Sequence, residues 1–240
     1  MECVCSVTHP APLSGRHLMG DEFRGRGQPR TVQELTQLGR VRLSKHFYMR
    51  EFLFSEIAAI HGILNAPDDP NLAIAAGRKL CEELLEPLQA CFGRIVVRSA
   101  YRNRQVNNLG WQRMRAGEFG YNCSSNKRNA AHHIWDEFDD QGCMGATACI
   151  VIPGFNDRWC APGDWQRLAW FIHDTLPYSA MRFFRVNGAF NIAWHERPKR
   201  RIDSYVEPRG CLTRPGLANN TACHREDWKL LLNNPPSSAV

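Results

Sequence analysis

Three stretches of the 240-residue sequence hold side chains able to do chemistry. The first runs from His132 and His133 through Trp135 to Asp136, Glu137, Asp139 and Asp140, two imidazoles followed by four carboxylates. The second is Trp194-His195-Glu196, and the third is Ser99-Ala100-Tyr101-Arg102. Imidazole and carboxylate bind zinc through N and O, and they move protons near neutral pH. A guanidinium presents a planar fork that pairs bidentately with a carboxylate. Each stretch also has a plainer account. The first reads as a hydrated acidic loop, His195 as a core histidine with a satisfied ring, and Arg102 as a solvated charge after a strand. Tyr101 and Trp135 belong to types that pack more often than they touch substrate. A Cys149/His195 nucleophilic pair would have no recognisable orienting residue or motif.

The elements that must position these residues can be read from periodicity. The apolar run 146–153 fits a buried strand, and 94–99 another, with a loop-and-helix stretch 101–108 after it. A helix at 164–175 carries Trp165, Leu168, Trp170, Phe171 and Ile172, and strands follow at 180–186, 190–196 and 202–206. Upstream, Leu72, Ala76, Leu80, Leu84 and Leu88 recur every four residues, opposite Arg78, Lys79, Glu82, Glu83 and Glu86. That is an amphipathic helix, with Asn71 as N-cap, a late kink at Pro87 and an end at Gly93. Residues 48–62 keep a helical rhythm through Phe52, Ile57, Ala58 and Ile60. Ser55 starts a second turn, and Gly62 with Asn65-Ala66-Pro67 stops it. Thr31, with Glu34 three residues on, forms a capping box. Helices first and strands after predict an α+β fold, helices packed on one face of a small, mainly antiparallel sheet.

Residues 1–40 read as a leader, flexible to about residue 30, residues 41–215 as the organised domain, and 216–240 as a tail. A hydrophobic fraction of 43% and a charged fraction of 22% exclude wholesale disorder. No apolar run approaches the roughly 20 residues of a membrane span. The start lacks a secretory signal, so cytoplasmic synthesis is expected, with the cell wall reached only by a separate route. Ten cysteines are scattered without a Cys-x-x-Cys pair and read as reduced thiols. The net charge of +6 is mild. Its densest cluster, Arg197, Lys199, Arg200 and Arg201, has no interleaved aromatics, so nucleic acid is not the expected partner.

The stretch LSKHFYMREFLFSEIAAIHGILNAPDDPNLAIAAGRKLCEELLEPLQACFGRIVVRSAYRNRQVN resembles the opening of the zinc D-Ala-D-Ala carboxypeptidase family. That family shares its fold with the hedgehog signalling domain. The shared features are an EF-x-x-S helix, an N-x-P turn, a helix with LLEPL and a strand ending in S-x-Y-R. The resemblance implies that Arg102, with Ser99 and Tyr101, clamps the terminal carboxylate of a peptidoglycan stem peptide. It implies a Zn2+ site of His133 and Asp140, at the family's His-x6-Asp spacing, with His195 after Trp194. Three such ligands leave an open position for a water whose pKa falls to roughly 7. The departures are specific. Asp136 stands where the family has Gly, and Ile192 where it usually has its general-base Glu, leaving Glu196 or Asp136 as substitutes. Aligned through Gly145-Ala146-Thr147-Ala148-Cys149 instead, the motif puts Cys149 at the ligand Asp and Gly142 at the first His. His132, Asp136 and Cys149 are therefore reserve ligands. The implied function is a zinc peptidase hydrolysing stem peptides. The alternative is an inactive relative that binds such peptides or serves as a structural module.

Overall fold

The computed structural model describes residues 23, 25 and 27–232, so most of the expected flexible leader lies outside the described residues. Helix α1 (Val32–Gly39) precedes a 3-10 turn (Met49–Phe52), α2 (Glu56–His61), α3 (Pro70–Leu80), a π turn (Cys81–Leu85) and α4 (Glu86–Phe92). Strand β1 (Val96–Ser99), α5 (Arg104–Arg115) and the short α6 (Asn126–Asn129) lead to β2 (Gly145–Val151). After α7 (Pro153–Asn156) and α8 (Asp164–Thr175) come β3 (Ala180–Phe183), β4 (Phe190–His195), β5 (Arg201–Ser204) and β6 (Gly210–Thr213), then α9 (Arg225–Trp228) and a 3-10 turn (Lys229–Leu231). The six strands form one sheet in the order β1-β2-β4-β3-β5-β6. Every pairing is antiparallel except β3 with β5.

Local chemistry explains most element ends. Thr31 Oγ1 accepts the Glu34 N–H at 3.1 Å and Glu34 Oε2 accepts the Thr31 N–H at 3.1 Å, a reciprocal capping box that starts α1. Ser55 caps α2, and Gly62, at φ 61°, closes it in the left-handed conformation. Asp69, not Asn71, caps α3. Its Oδ1 accepts the N–H groups of Asn71 and Leu72 at 3.1 Å each, and Pro70 takes the first helical position, where no N–H is needed. The kink expected at Pro87 is taken up one turn earlier as the π turn, whose widened ladder has the Glu86 N–H donating to the Cys81 carbonyl.

Alternation along the strands divides the sheet into two faces. Ala146, Ala148 and Ile150 of β2, Phe190, Ile192 and Trp194 of β4, and Met181 and Phe183 of β3 enter one hydrophobic core. Leu80 of α3, Leu88 of α4 and Phe171 of α8 fill the same core. Trp194 Nε1 donates to Glu83 Oε2 at 2.6 Å, pinning β4 to the π turn. The packed unit exceeds the expected 41–215. Leu38 of α1 is buried at one end, and Trp228 and Leu231, within the expected tail, are buried at the other. Among the described residues no helix is long and apolar enough to cross a membrane.

Candidate functional site

The intervening strand positions face the other way. Cys149 of β2, Asn191 of β4, Arg182 of β3 and Ser99 of β1 line a cleft of about 500 Å³, with Arg98, Arg102 and His133. Cys149 and Asn191 are direct cross-strand partners. The turn that delivers Arg102 is stitched by Asn65 of the N-x-P turn. Asn65 Nδ2 donates to the carbonyls of Leu53 and Tyr101 at 2.8 and 2.9 Å, and its Oδ1 accepts the Asn103 N–H at 2.9 Å. Asn103 then caps α5, accepting the Val106 N–H at 2.8 Å. The Arg102 N–H donates to the His133 carbonyl at 2.8 Å, bringing the His132-His133 segment to the cleft. The pairing of the two resemblance motifs thus has a physical basis: one side-chain amide satisfies the backbone of both turns.

Arg102 is an unusual cation. Its Nη1 donates to Cys123 Sγ at 2.8 Å, while Nε is shielded from solvent and meets no hydrogen-bond partner. Among the described residues no carboxylate pairs with it; Glu56 is the carboxylate in the cleft lining. Burial pulls the Arg102 pKa down from its ordinary value, yet guanidinium stays protonated in proteins. His133 Nδ1–H donates to the Ala100 carbonyl at 2.7 Å. Burial first, and the Arg102 charge second, hold its pKa well below the usual histidine value, so the ring is neutral with Nε2 bare. Burial pushes the thiols of Cys149 and Cys123 up, which keeps both as thiols. The cleft lining combines Arg98, Arg102 and Arg182, the last paired with Asp203 at 3.4 Å, with neutral side chains and one carboxylate, Glu56.

The structure does not bring the expected zinc ligands together. The rings of His132 and His133, in the turn after α6, go to different places. His133 joins Arg102, whereas His132 stacks on His195 with centroids 6.0 Å apart. In β4, His195 lies opposite Gly145 while Asn191 lies opposite Cys149. Four residues of strand, roughly 13 Å, separate His195 from the cleft. Both ring nitrogens of His195 are engaged: Nε2–H with Asp139 Oδ2 at 3.1 Å, and Nδ1 with the Arg197 N–H at 3.0 Å. Asp140 is exposed in its loop. His133 and Asp140 do not meet His195, which stands instead against Asp139 and His132, a pair at the same x6 spacing. The distance along β4 dismisses a Cys149/His195 pair. His132, a reserve ligand, is held neutral with a pKa near 4 by burial and then by Lys199, whose Nζ lies 3.3 Å from its Nε2.

The substitute bases are placed elsewhere as well. Asp136 Oδ2 accepts the Asp68 N–H at 2.7 Å, bracing the loop before α3, and burial pushes its pKa up. Glu196 Oε2 accepts the Met144 N–H at 2.8 Å. Neither lines the cleft. Ile192, at the expected Glu position, is fully buried core. Of the expected substrate contacts, Ser99 and Arg102 line the cleft, while Tyr101 is buried edge-on against Trp135. Sequence reasoning missed Asn191, Arg182, Cys123 and Asn65. The first two are signalled by period-2 alternation once the core-facing positions of β3 and β4 are known.

One other cluster has ligand atoms close enough to share a cation. Among the described residues, atoms of His173, Asp174 and His224 lie within 4.8 Å of one another. They also satisfy one another and their neighbours. Asp174 Oδ2 accepts the His224 N–H at 2.8 Å and Trp228 Nε1–H at 2.7 Å, and Oδ1 meets His224 Nδ1 at 3.1 Å. His173 donates Nε2–H to the Asn220 carbonyl at 3.0 Å, and its Nδ1 accepts the Tyr178 hydroxyl at 2.6 Å. Trp170 stacks on His224 at 3.7 Å, 5° from parallel. The group clasps the C-terminal segment to α8 and does not line the cleft. Compared with known proteins, the chain matches no protein family, no curated sequence and no solved structure.

Proposed function

We propose that the protein is a peptide-binding module of D-Ala-D-Ala-carboxypeptidase-like architecture, which captures the carboxylate end of a cell-wall-type peptide at Arg102 and does not hydrolyse it through a zinc centre. One observation carries this reading: a half-buried Arg102, its Nε shielded and unpartnered and no carboxylate paired with it among the described residues, lines a cleft that also holds Arg98 and Arg182. A partly buried cation without a counter-ion is destabilising. A ligand carboxylate would supply both the missing charge and the acceptor that Nε lacks, in the bidentate geometry guanidinium favours. The architecture rests on the 65-residue resemblance and on the sheet described above. Zinc is set apart because His133 lines the cleft while His195 does not. At the His173–Asp174–His224 group a cation would brace the C-terminal segment, remote from any peptide bond held in the cleft.

The test is affinity and turnover with an acetylated tripeptide ending in D-Ala-D-Ala. Calorimetry is expected to show binding to the wild type and at least about a tenfold loss for Arg102→Ala, the size of one charge-assisted hydrogen bond. Mass spectrometry with added zinc is expected to show an intact tripeptide. Equal affinity of wild type and variant would sink the binding reading. Zinc-dependent release of D-Ala would restore the peptidase.

A further inference from the structure

Beside the cleft lies a second hollow, of about 650 Å³, and its chemistry is different. Trp159, Trp165, Phe183, Phe184 and Tyr205 give it aromatic faces, with the charged Arg185, Glu207 and Arg209 also in its lining. Trp165 is held in place, its Nε1–H donating to the Glu207 carbonyl at 2.9 Å and its ring tilted against Phe183 at 4.9 Å. Phe184 and Tyr205 line both the hollow and the Arg102 cleft, so the two cavities adjoin there. Their rings lie 5.9 Å apart at 35°. Each follows one of the paired parallel strands β3 and β5, where the Tyr205 N–H donates to the Phe183 carbonyl at 2.9 Å. Tyr205 is 47% exposed, with the Arg182 guanidinium over its ring at 5.6 Å.

We infer that this hollow is a second subsite for the same ligand, taking an apolar or aromatic side chain of the peptide whose carboxylate end sits at Arg102. The inference rests on the carboxylate-binding reading and specifies its substrate class. Its volume falls in the ordinary range of ligand pockets. Fixed aromatic faces bind apolar groups without losing much rotamer freedom of their own. Continuity selects the occupant: a chain anchored by its carboxylate and passing over Phe184 and Tyr205 enters the hollow directly. A separate partner would leave that shared wall unexplained.

The test walks one phenylalanine through the upstream positions of an acetylated pentaalanine with a free carboxylate, and titrates each peptide into wild type and Trp159→Ala. One position is expected to bind wild type at least about tenfold tighter than pentaalanine, as burial of an aromatic ring implies. Trp159→Ala should erase that gain while keeping the affinity for pentaalanine. If every phenylalanine peptide binds wild type no better than pentaalanine, the subsite is overturned while Arg102 capture stands. If the C-terminal amides bind as well as the acids, the carboxylate reading falls, and this inference with it. The wild-type arm decides the matter even if the variant is unstable.

Discussion

Arg102 and His195 show how little a residue type says about its use. Both were candidates because their side chains suit substrate or metal. One is half-buried, without a carboxylate partner among the described residues, and lines a cleft; the other is buried with both ring nitrogens engaged. His195 is held by Asp139 and the Arg197 N–H. Its ring links β4 to the loop in which Asp139 Oδ1 also accepts the N–H groups of Gln141 and Cys143, at 2.9 Å each. Those bonds, foremost that from Cys143, and the adjacent His195 hold the Asp139 carboxyl below its ordinary pKa. Truncation to His195→Ala should lower unfolding stability by about 2–3 kcal/mol, the range for a buried hydrogen bond to a charged group plus the void left behind. Peptide affinity should be unchanged. Urea denaturation and calorimetry on the same preparation check both halves, and a large loss of affinity with intact stability would return His195 to the binding machinery.

At the scale of elements, the polar clasp between α8 and the C-terminal segment makes the second prediction. Asp174 accepts three donors there, two of them ring N–H groups of His224 and Trp228. Asp174→Ala leaves those donors buried and unpaired, and should lower stability by about 2–4 kcal/mol, with the loss visible in Trp228 fluorescence. Zinc should not raise Tm by more than a degree or so, because the nitrogens of His173 are already satisfied. A strong zinc-dependent rise would make the clasp a metal site. Periodicity and capping made many of these elements readable: the helix at 164–175 matches α8, and Thr31 with Glu34 start α1 as expected. Asp69-Pro70 was the stronger cap signal before α3 than Asn71, since proline prefers the first helical position. Strand β6 (Gly210–Thr213) escaped because an exposed edge strand needs no apolar alternation. The ring directions of His132 and His133 had no sequence signal at all. They depend on which backbone groups Thr147 and Arg102 choose as partners.

For the whole molecule, buried neutral imidazoles set an acid limit. His132, His133 and His173 all titrate below the ordinary value of 6.5, each chiefly through burial. Above pH 6.5 neither the folded nor the unfolded chain protonates them, so they leave stability unchanged. Between 6.5 and the folded values the unfolded chain takes up protons that the native state refuses. Stability then falls as pH drops, by up to about 1.4 kcal/mol per pH unit for each imidazole. For His132 the window closes near pH 4. The lowered carboxyls of Glu86 and Asp203 add a loss of the same sign in more acidic solution, while the raised Asp136 and Glu82 oppose it. Urea midpoints should therefore fall steadily from pH 7 to pH 5 at nearly constant m. A flat profile over that interval would mean that these rings are protonated in the fold.

Capture of a carboxylate by the Arg102 guanidinium is tested most directly by removing the ligand's charge and leaving the protein untouched. The acetylated tripeptide ending in D-Ala-D-Ala and its C-terminal amide differ only at the group Arg102 is proposed to hold. Titrated side by side at moderate salt, the acid should bind at least about tenfold more tightly than the amide. Indistinguishable dissociation constants for the two would contradict it.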